Sequence, residues 1–155
     1  MKLSTQEIIK LPIAVAFDAL SDFTQLERAA RRRDAVVRRV GDVRTPGVGM
    51  AWKATFEVGG RRRDVELVVV EYTPGERLVV DFVSQGLYGT TRMDLVALSR
   101  DRTRVIVGLE MRASTLVARL LLQSLKLAKP RINSTYKDRI AQHLRIAQRQ
   151  YRNLR

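Results

Sequence analysis

The sequence predicts an α+β domain: one strand, two short helices, six further antiparallel strands and a long C-terminal helix. Three observations carry this. Apolar residues recur at helical spacing just after Pro12 and again after Arg112. From Asp34 to Arg112 the period is two, as a half-buried strand requires. Turns bearing glycine and proline cut that middle stretch into hairpin-length pieces.

Residues 2–9 form the first strand, with Leu3, Thr5 and Glu7 alternating against Ser4, Gln6 and Ile8. Pro12 suits the first turn of a helix, where its missing N–H would have no partner anyway. Ile13, Val15, Ala16, Phe17 and Leu20 supply that helix's apolar face. Ser21 and Asp22 end it, and Asp22 is placed to cap a second short helix containing Leu26 and Ala29.

Residues 34–40 make the next strand, ended by Gly41 and the Pro46-Gly47 turn. In residues 49–58, Met50, Trp52, Ala54, Phe56 and Val58 share one face against Lys53, Thr55 and Glu57. Gly59-Gly60 signals a hairpin into residues 62–72, where Val65, Leu67 and Val69 point inward. Pro74-Gly75 turns the chain into residues 77–85, with Leu78, Val80, Phe82 and Ser84 on one face. Residues 88–98 turn Met93 and Leu95 inward. Residues 102–112 do the same with Thr103, Val105, Val107, Leu109 and Met111.

After Arg112 the pattern is helical to the end. Leu122, Leu125, Ile132, Tyr136, Ile140, His143, Ala147, Tyr151 and Leu154 fall on one stripe, with Arg131, Lys137, Arg145, Arg149 and Arg152 on or near the other side. Pro130 should kink this helix or split it in two, because it removes a backbone hydrogen bond and strains Lys129 before it.

A chain of 155 residues fits a single domain, 1–155, with room for a substantial core. The absence of cysteine excludes disulfides, thiolate nucleophiles and cysteine-based zinc sites, and the lone histidine excludes a multi-histidine metal centre within one chain. No metal and no cofactor is expected, since the glycines mark turns and form no phosphate-binding fingerprint ahead of a helix. The N-terminus has no secretory signal, and no run approaches the roughly 18 apolar residues of a membrane-spanning helix. The expected location is cytoplasmic.

The net charge of +13 is concentrated near the C-terminus: from Arg112 to Arg155 there are 11 basic residues and one acid, Asp138. Such asymmetry points to an anionic partner or to a solvated helix face that aids solubility.

The succession of elements resembles the START-like superfamily, also called the SRPBCC group of polyketide cyclases, dehydrases and lipid-transport proteins. The resemblance rests on Pro12 to Asp22, on the Gly47-Val48-Gly49 turn into Met50-Ala51-Trp52, and on the turn from Tyr72 to Leu78. It covers essentially the whole chain. It implies a helix-grip fold, in which a curved antiparallel sheet of about seven strands wraps the C-terminal helix and leaves a ligand cavity between them. A gap of roughly 300–1,000 Å³ is plausible there. Carried onto this sequence, the cavity wall comes from Trp52, Phe56, Phe82, Met93, Leu109 and Met111, and the lid from Ile132, Tyr136 and Ile140. Trp52 should be buried on the concave side, facing the C-terminal helix.

His143 lies on the apolar stripe one helical repeat after Tyr136, where it would orient a ligand carbonyl, transfer a proton, or serve as a hydrogen-bonded core residue. Carboxylates mostly point outward, Glu71 excepted, so neither a paired-carboxylate site nor any other catalytic constellation emerges. Two arginine triplets, Arg31-Arg32-Arg33 and Arg61-Arg62-Arg63, are expected to be exposed, where arginines grip phosphates. Leu116, Leu120 and Leu127 wind to the side opposite the core, with Arg119, Lys126 and Lys129 beside them. That arrangement fits contact with an anionic membrane, a second subunit in a homodimer, or a neighbouring loop.

The leading functional expectation is binding or transport of a hydrophobic small molecule, such as a lipid, polyketide or quinone-like compound. The alternatives are a pocket enzyme of cyclase or dehydrase type and a basic module for RNA, the ribosome or an anionic membrane. Nucleic acid ranks below membrane because few aromatics are free for base stacking.

Overall fold

The computed structural model describes residues 1–41, 45–58 and 60–154, the side chain of Val58 excepted. Gly59, half of the expected hairpin signal, lies outside them, as do residues 42–44 in the expected turn after Gly41.

The elements run β1 (Lys2–Ile9), α1 (Ile13–Leu20), α2 (Phe23–Arg32), β2 (Val36–Val40), β3 (Ala51–Val58), β4 (Arg61–Thr73), β5 (Arg77–Ser84), β6 (Leu87–Ser99), β7 (Arg102–Ala113), α3 (Leu116–Leu127) and α4 (Lys129–Leu154). Seven strands form one sheet in the order β1-β7-β6-β5-β4-β3-β2, each neighbouring pair antiparallel. β1 and β2 are the edges, and the two short helices carry the chain from one edge to the other. The ladder breaks register between Val69 and Glu71 and between Ala97 and Ser99. An extra residue on one strand bends it and raises its twist, which helps the sheet curl.

Alternation sets the inner face as expected. Met50, Trp52 and Ala54 of β3, Val69 of β4, Leu78 and Val80 of β5, Leu95 of β6, and Val105 and Val107 of β7 are buried. Phe17, from α1, is 2% exposed and meets Tyr72 edge-on at 5.3 Å between ring centroids. Two of the helices are capped by local side chains, whereas α1 follows Pro12 without one. Asp22 accepts a hydrogen bond from the Gln25 backbone N–H, and Thr115 accepts one from Ala118 at the start of α3.

Pro130 acts as its chemistry requires. The C-terminal helix is split at Ala128, and Pro130 stands in the first turn of α4, where no backbone donor is needed. The buried stripe nevertheless keeps its phase across the break: Tyr136, Ile140, Ala147 and Tyr151 pack against the main core. The deepest residue of α4 is Leu144, at 1% exposure, whereas Leu154, expected on that stripe, is 86% exposed. Leu144 lies on that same face, four residues after Ile140 and three before Ala147.

α4 packs chiefly on β1 and α1. Gln148 accepts a hydrogen bond from the Lys10 backbone N–H, and the His143 Nε2 lies 3.1 Å from the Ala19 carbonyl. α2 covers the other end of the sheet. Phe23 and Trp52 pack with ring centroids 5.0 Å apart, and Arg39 of β2 reaches up to Glu27 of α2. Trp52 is buried on the concave face as expected, but the helix it meets is α2, not α4.

Candidate functional site

Between α2 and the strands lies an apolar cavity of about 220 Å³. Its helical wall is Phe23, Leu26, Glu27 and Ala30, and its sheet wall comes from β2 to β6: Val37, Trp52, Ala54, Phe56, Leu67, Leu78, Val80, Thr91 and Met93. The spacing explains the helical wall. Phe23, Leu26, Glu27 and Ala30 follow the i, i+3, i+4, i+7 series, so one face of a short helix delivers all four side chains.

That series places a carboxylate among apolar groups, and the surroundings are built to hold it. Glu27 is 7% exposed. Arg39 donates to both of its oxygens, at 2.8 Å from Nε and 2.8 Å from Nη2, and Trp52 adds its indole N–H at 3.2 Å. Burial alone pushes the Glu27 carboxyl up. The hydrogen bonds and charge of Arg39, with the indole N–H, outweigh it and hold Glu27 below the usual carboxylate range. Arg39 Nη2 also donates to the Thr24 hydroxyl. The carboxylate is thereby fixed as an ionised, fully engaged group that ties α2 to β2 and β3.

A second polar feature sits at the Thr91 side. Tyr136 of α4 reaches toward Thr91, a cavity-lining residue, and its buried hydroxyl meets no partner at hydrogen-bonding geometry. Burial raises its pKa, with the nearby Thr91 hydroxyl working weakly against that, so near neutral pH the phenol is a donor. Thr91 itself donates to the Gly108 carbonyl.

Of the expected site residues, Trp52, Phe56 and Met93 are brought together around this cavity. Phe82 stands one inward step beyond Val80, its ring against Gly89. Leu109 sits between Leu3 and Thr91 in the ladder. Met111 packs in a separate cluster with Leu87, Ala118 and Leu122 beneath α3. On α4, Tyr136 and Ile140 pack against the main core, and Ile132 is half-buried one turn earlier. His143 is turned to the α1 backbone. The helical wall of this cavity is therefore α2, because α4 is held over β1 and α1. The residues that sequence reasoning passed over are Phe23, Glu27 and Ala30, although their spacing was visible.

Arg63 also departs from expectation. It is in phase with the inward residues of β4 and is half-buried, donating from Nη2 to the Ser84 carbonyl at 2.8 Å and from Nε to the Ser84 hydroxyl. Its neighbours Arg61 and Arg62 are exposed.

A larger hollow of about 990 Å³ opens at the far end of the molecule, between the β6–β7 hairpin and the end of α4. Lys10, Arg102, Arg145, Arg149 and Arg152 stand around it with Asp101, so it is a basic, solvent-facing groove. Among the described residues no helix is long and apolar enough to cross a membrane, and no cluster of three or more His, Cys, Asp or Glu is placed to hold a metal ion.

Residues 1–142 match the family of polyketide cyclases/dehydrases and lipid-transport proteins. The chain belongs to that family. No curated protein matches it. Among solved structures, the family's fold recurs in the Zhui aromatase/cyclase from Streptomyces sp. R1128, with a TM-score of 0.72 at 11% identity over 97% of this chain and 95% of that one. Norcoclaurine synthase from Thalictrum flavum, as a point mutant with a transition-state analogue, gives 0.71 at 12% identity over 97% and 96%. A protein from Thermus thermophilus, TTHA0849, gives 0.67 at 13% identity over 95% and 96%. At these identities the likeness establishes the helix-grip fold. The family's breadth, from cyclases to lipid transport, leaves the chemistry to be argued from the cavity.

Proposed function

We propose that this chain binds a small, largely apolar molecule of about one or two rings in the cavity beneath α2. The observation that carries the reading is the cavity's lining: Phe23, Leu26, Trp52, Phe56, Leu78 and Met93 surround about 220 Å³ of space. A dry apolar cavity of about 150 Å³ takes benzene, so this partly open space covers a body of one or two rings and would leave most of an extended acyl chain outside. Within the hydrophobic ligand classes the fold accommodates, a compact aromatic or quinone-like compound therefore fits better than a lipid.

Binding is favoured over catalysis by the state of the polar groups. Glu27 is the cavity's carboxylate, and its oxygens are already occupied by Arg39 and Trp52. Tyr136 stands behind the cavity-lining Thr91, protonated and with its hydroxyl unpaired, so it is a donor only for a ligand oxygen that reaches past Thr91. A donor without a matching free base orients a ligand more readily than it turns one over.

Trp52 is the chain's only tryptophan and forms part of the cavity wall, so its fluorescence reports occupancy directly. Titration with a panel of one- and two-ring phenols and quinones, alongside native mass spectrometry of the gently purified protein, tests the reading. Saturable quenching by compact members, and not by long-chain fatty acids, is expected. Tight binding of an acyl lipid with no response to the aromatic panel would overturn it.

A further inference from the structure

The surface of α3 raises a question independent of the cavity. One side of this helix does core work: Ala118 and Leu122 are buried, and Leu121 and Leu125 pack beside them against Leu87 and Met111. The other side is apolar as well, and nothing among the described residues covers it. Leu116, Val117, Leu120 and Leu127 are 73%, 79%, 57% and 88% exposed. Wound at about 100° per residue, these four share one outward arc, and Arg119 and Lys126 run along its flank.

The charge around the ridge is mainly positive, and Glu110, the acid felt beside it at the Met1 amine, is paired with Arg112. Exposed Lys129 follows at the start of α4, and the charges of Lys126, Lys129 and Arg112 are felt at the Met1 amine. Leucines flanked by cations form the profile of a helix that lies in the headgroup region of an anionic bilayer, where apolar insertion and charge attraction act together. The same signs argue against the other occupants. A two-fold contact between copies through this ridge would set Arg119 and Lys126 against like charges. Nucleic acid would neutralise the cations but leave four large apolar side chains in water.

We propose that the α3 ridge, Leu116, Val117, Leu120 and Leu127 with Arg119 and Lys126, docks this protein on anionic lipid bilayers. The basic groove at the far end of α4 would then face away from the membrane.

Vesicle sedimentation of the full chain tests this, comparing phosphatidylcholine alone with phosphatidylcholine containing phosphatidylglycerol. Binding is expected to the anionic vesicles only and to weaken as salt rises. Arg119→Gln with Lys126→Gln should weaken it roughly fivefold per charge. The triple variant Leu116→Gln, Leu120→Gln, Leu127→Gln should weaken it about tenfold or more, with unchanged circular dichroism because the three side chains are exposed. Arg149→Gln with Arg152→Gln, at the far groove, removes the same charge and should leave binding nearly intact. The proposal fails if the wild type binds neither vesicle, or if the leucine triple binds as well as wild type. It fails equally if the far-groove pair costs as much as the α3 pair. Self-association abolished by the leucine triple would assign the ridge to a second copy instead, and RNA binding without vesicle binding would assign the charge to nucleic acid.

Discussion

Trp52 donates its indole N–H to Glu27 at 3.2 Å, joining the largest side chain of the cavity wall to a carboxylate on the helix above it. Arg39 grips the same carboxylate from β2, so three elements meet at one buried charge. The apolar space beneath α2 keeps its shape only while this junction holds.

Arg39→Met should therefore loosen α2 and destabilise the fold. Breaking a buried ion pair costs about 3–5 kcal/mol because the remaining charge is stranded. The Arg39 side chain is a third exposed, so about 2 kcal/mol is expected, partly recovered by water reaching Glu27. The sign of the pH effect follows from the lowered Glu27 pKa. Glu27 contributes stability above the unfolded carboxylate value of about 4.3 and loses it as pH falls through the lower folded value. Urea melts at stepped pH should show Glu27→Gln less stable near neutrality and less sensitive to acid than wild type.

Gly89 shows a different constraint. A Cβ there would fall onto the Glu110 carbonyl and the Phe82 ring, and the carbonyl belongs to the paired strand and cannot move alone. Gly89→Ala should cost about 3 kcal/mol or more, at the upper end for overpacking. Expression with a melting point close to that of the wild type would show that the strands separate more easily than their register implies.

Much of this architecture was legible in the sequence, and the division has physical causes. Strand phase was readable because alternation has a period of two, and the breaks at Pro74-Gly75 and Ser21-Asp22 carry their own backbone chemistry. The sheet wall of the cavity, Trp52, Phe56 and Met93, followed from that phase. The helical wall did not, because which helix lies over which strands depends on tertiary contacts such as Arg39 with Glu27, far apart in any local window. Glu27 was passed over although it shares a face with Phe23 and Ala30. The bulge at Val69 to Glu71 showed in the sequence only as a carboxylate out of phase: the register shift turns Glu71 toward Arg77 and brings Tyr72 onto the core in its place.

His143 separates a binding role from a structural one. Its Nε2 lies 3.1 Å from the Ala19 carbonyl, so the imidazole ties α4 to α1. His143→Ala should cost about 1 kcal/mol of stability, the net worth of one such bond. Affinity for a cavity ligand, read by Trp52 fluorescence, should stay within a few-fold. A turnover reaction abolished by this substitution would make the imidazole catalytic.

Ala54 offers a way to close the cavity without removing anything. It is buried at 4% exposure and its methyl lines the space between Trp52 and Phe56. Ala54→Leu projects new side-chain atoms into open volume, so it should keep or slightly raise stability. Ligand affinity should fall about tenfold or more, because the ligand and the new side chain compete for one space. Unchanged affinity would place the ligand elsewhere.

Tyr136, on α4 behind the cavity-lining Thr91, gives the sharpest test of whether a ligand reaches beyond the apolar wall. Its hydroxyl is buried and without a partner at bonding geometry, and such a group costs about 1–3 kcal/mol relative to one that is paired or absent. Tyr136→Phe should therefore leave the free protein as stable or raise its melting point. A ligand bearing a phenol or carbonyl oxygen should lose about fivefold in affinity, since one neutral hydrogen bond is worth about 1 kcal/mol. A hydrocarbon of the same shape should bind both proteins alike. Comparing the two ligands across the two proteins isolates the hydroxyl's contribution from any change in packing. Equal losses for both ligands would mean that Tyr136 acts through shape alone, and the donor role assigned to it would be wrong.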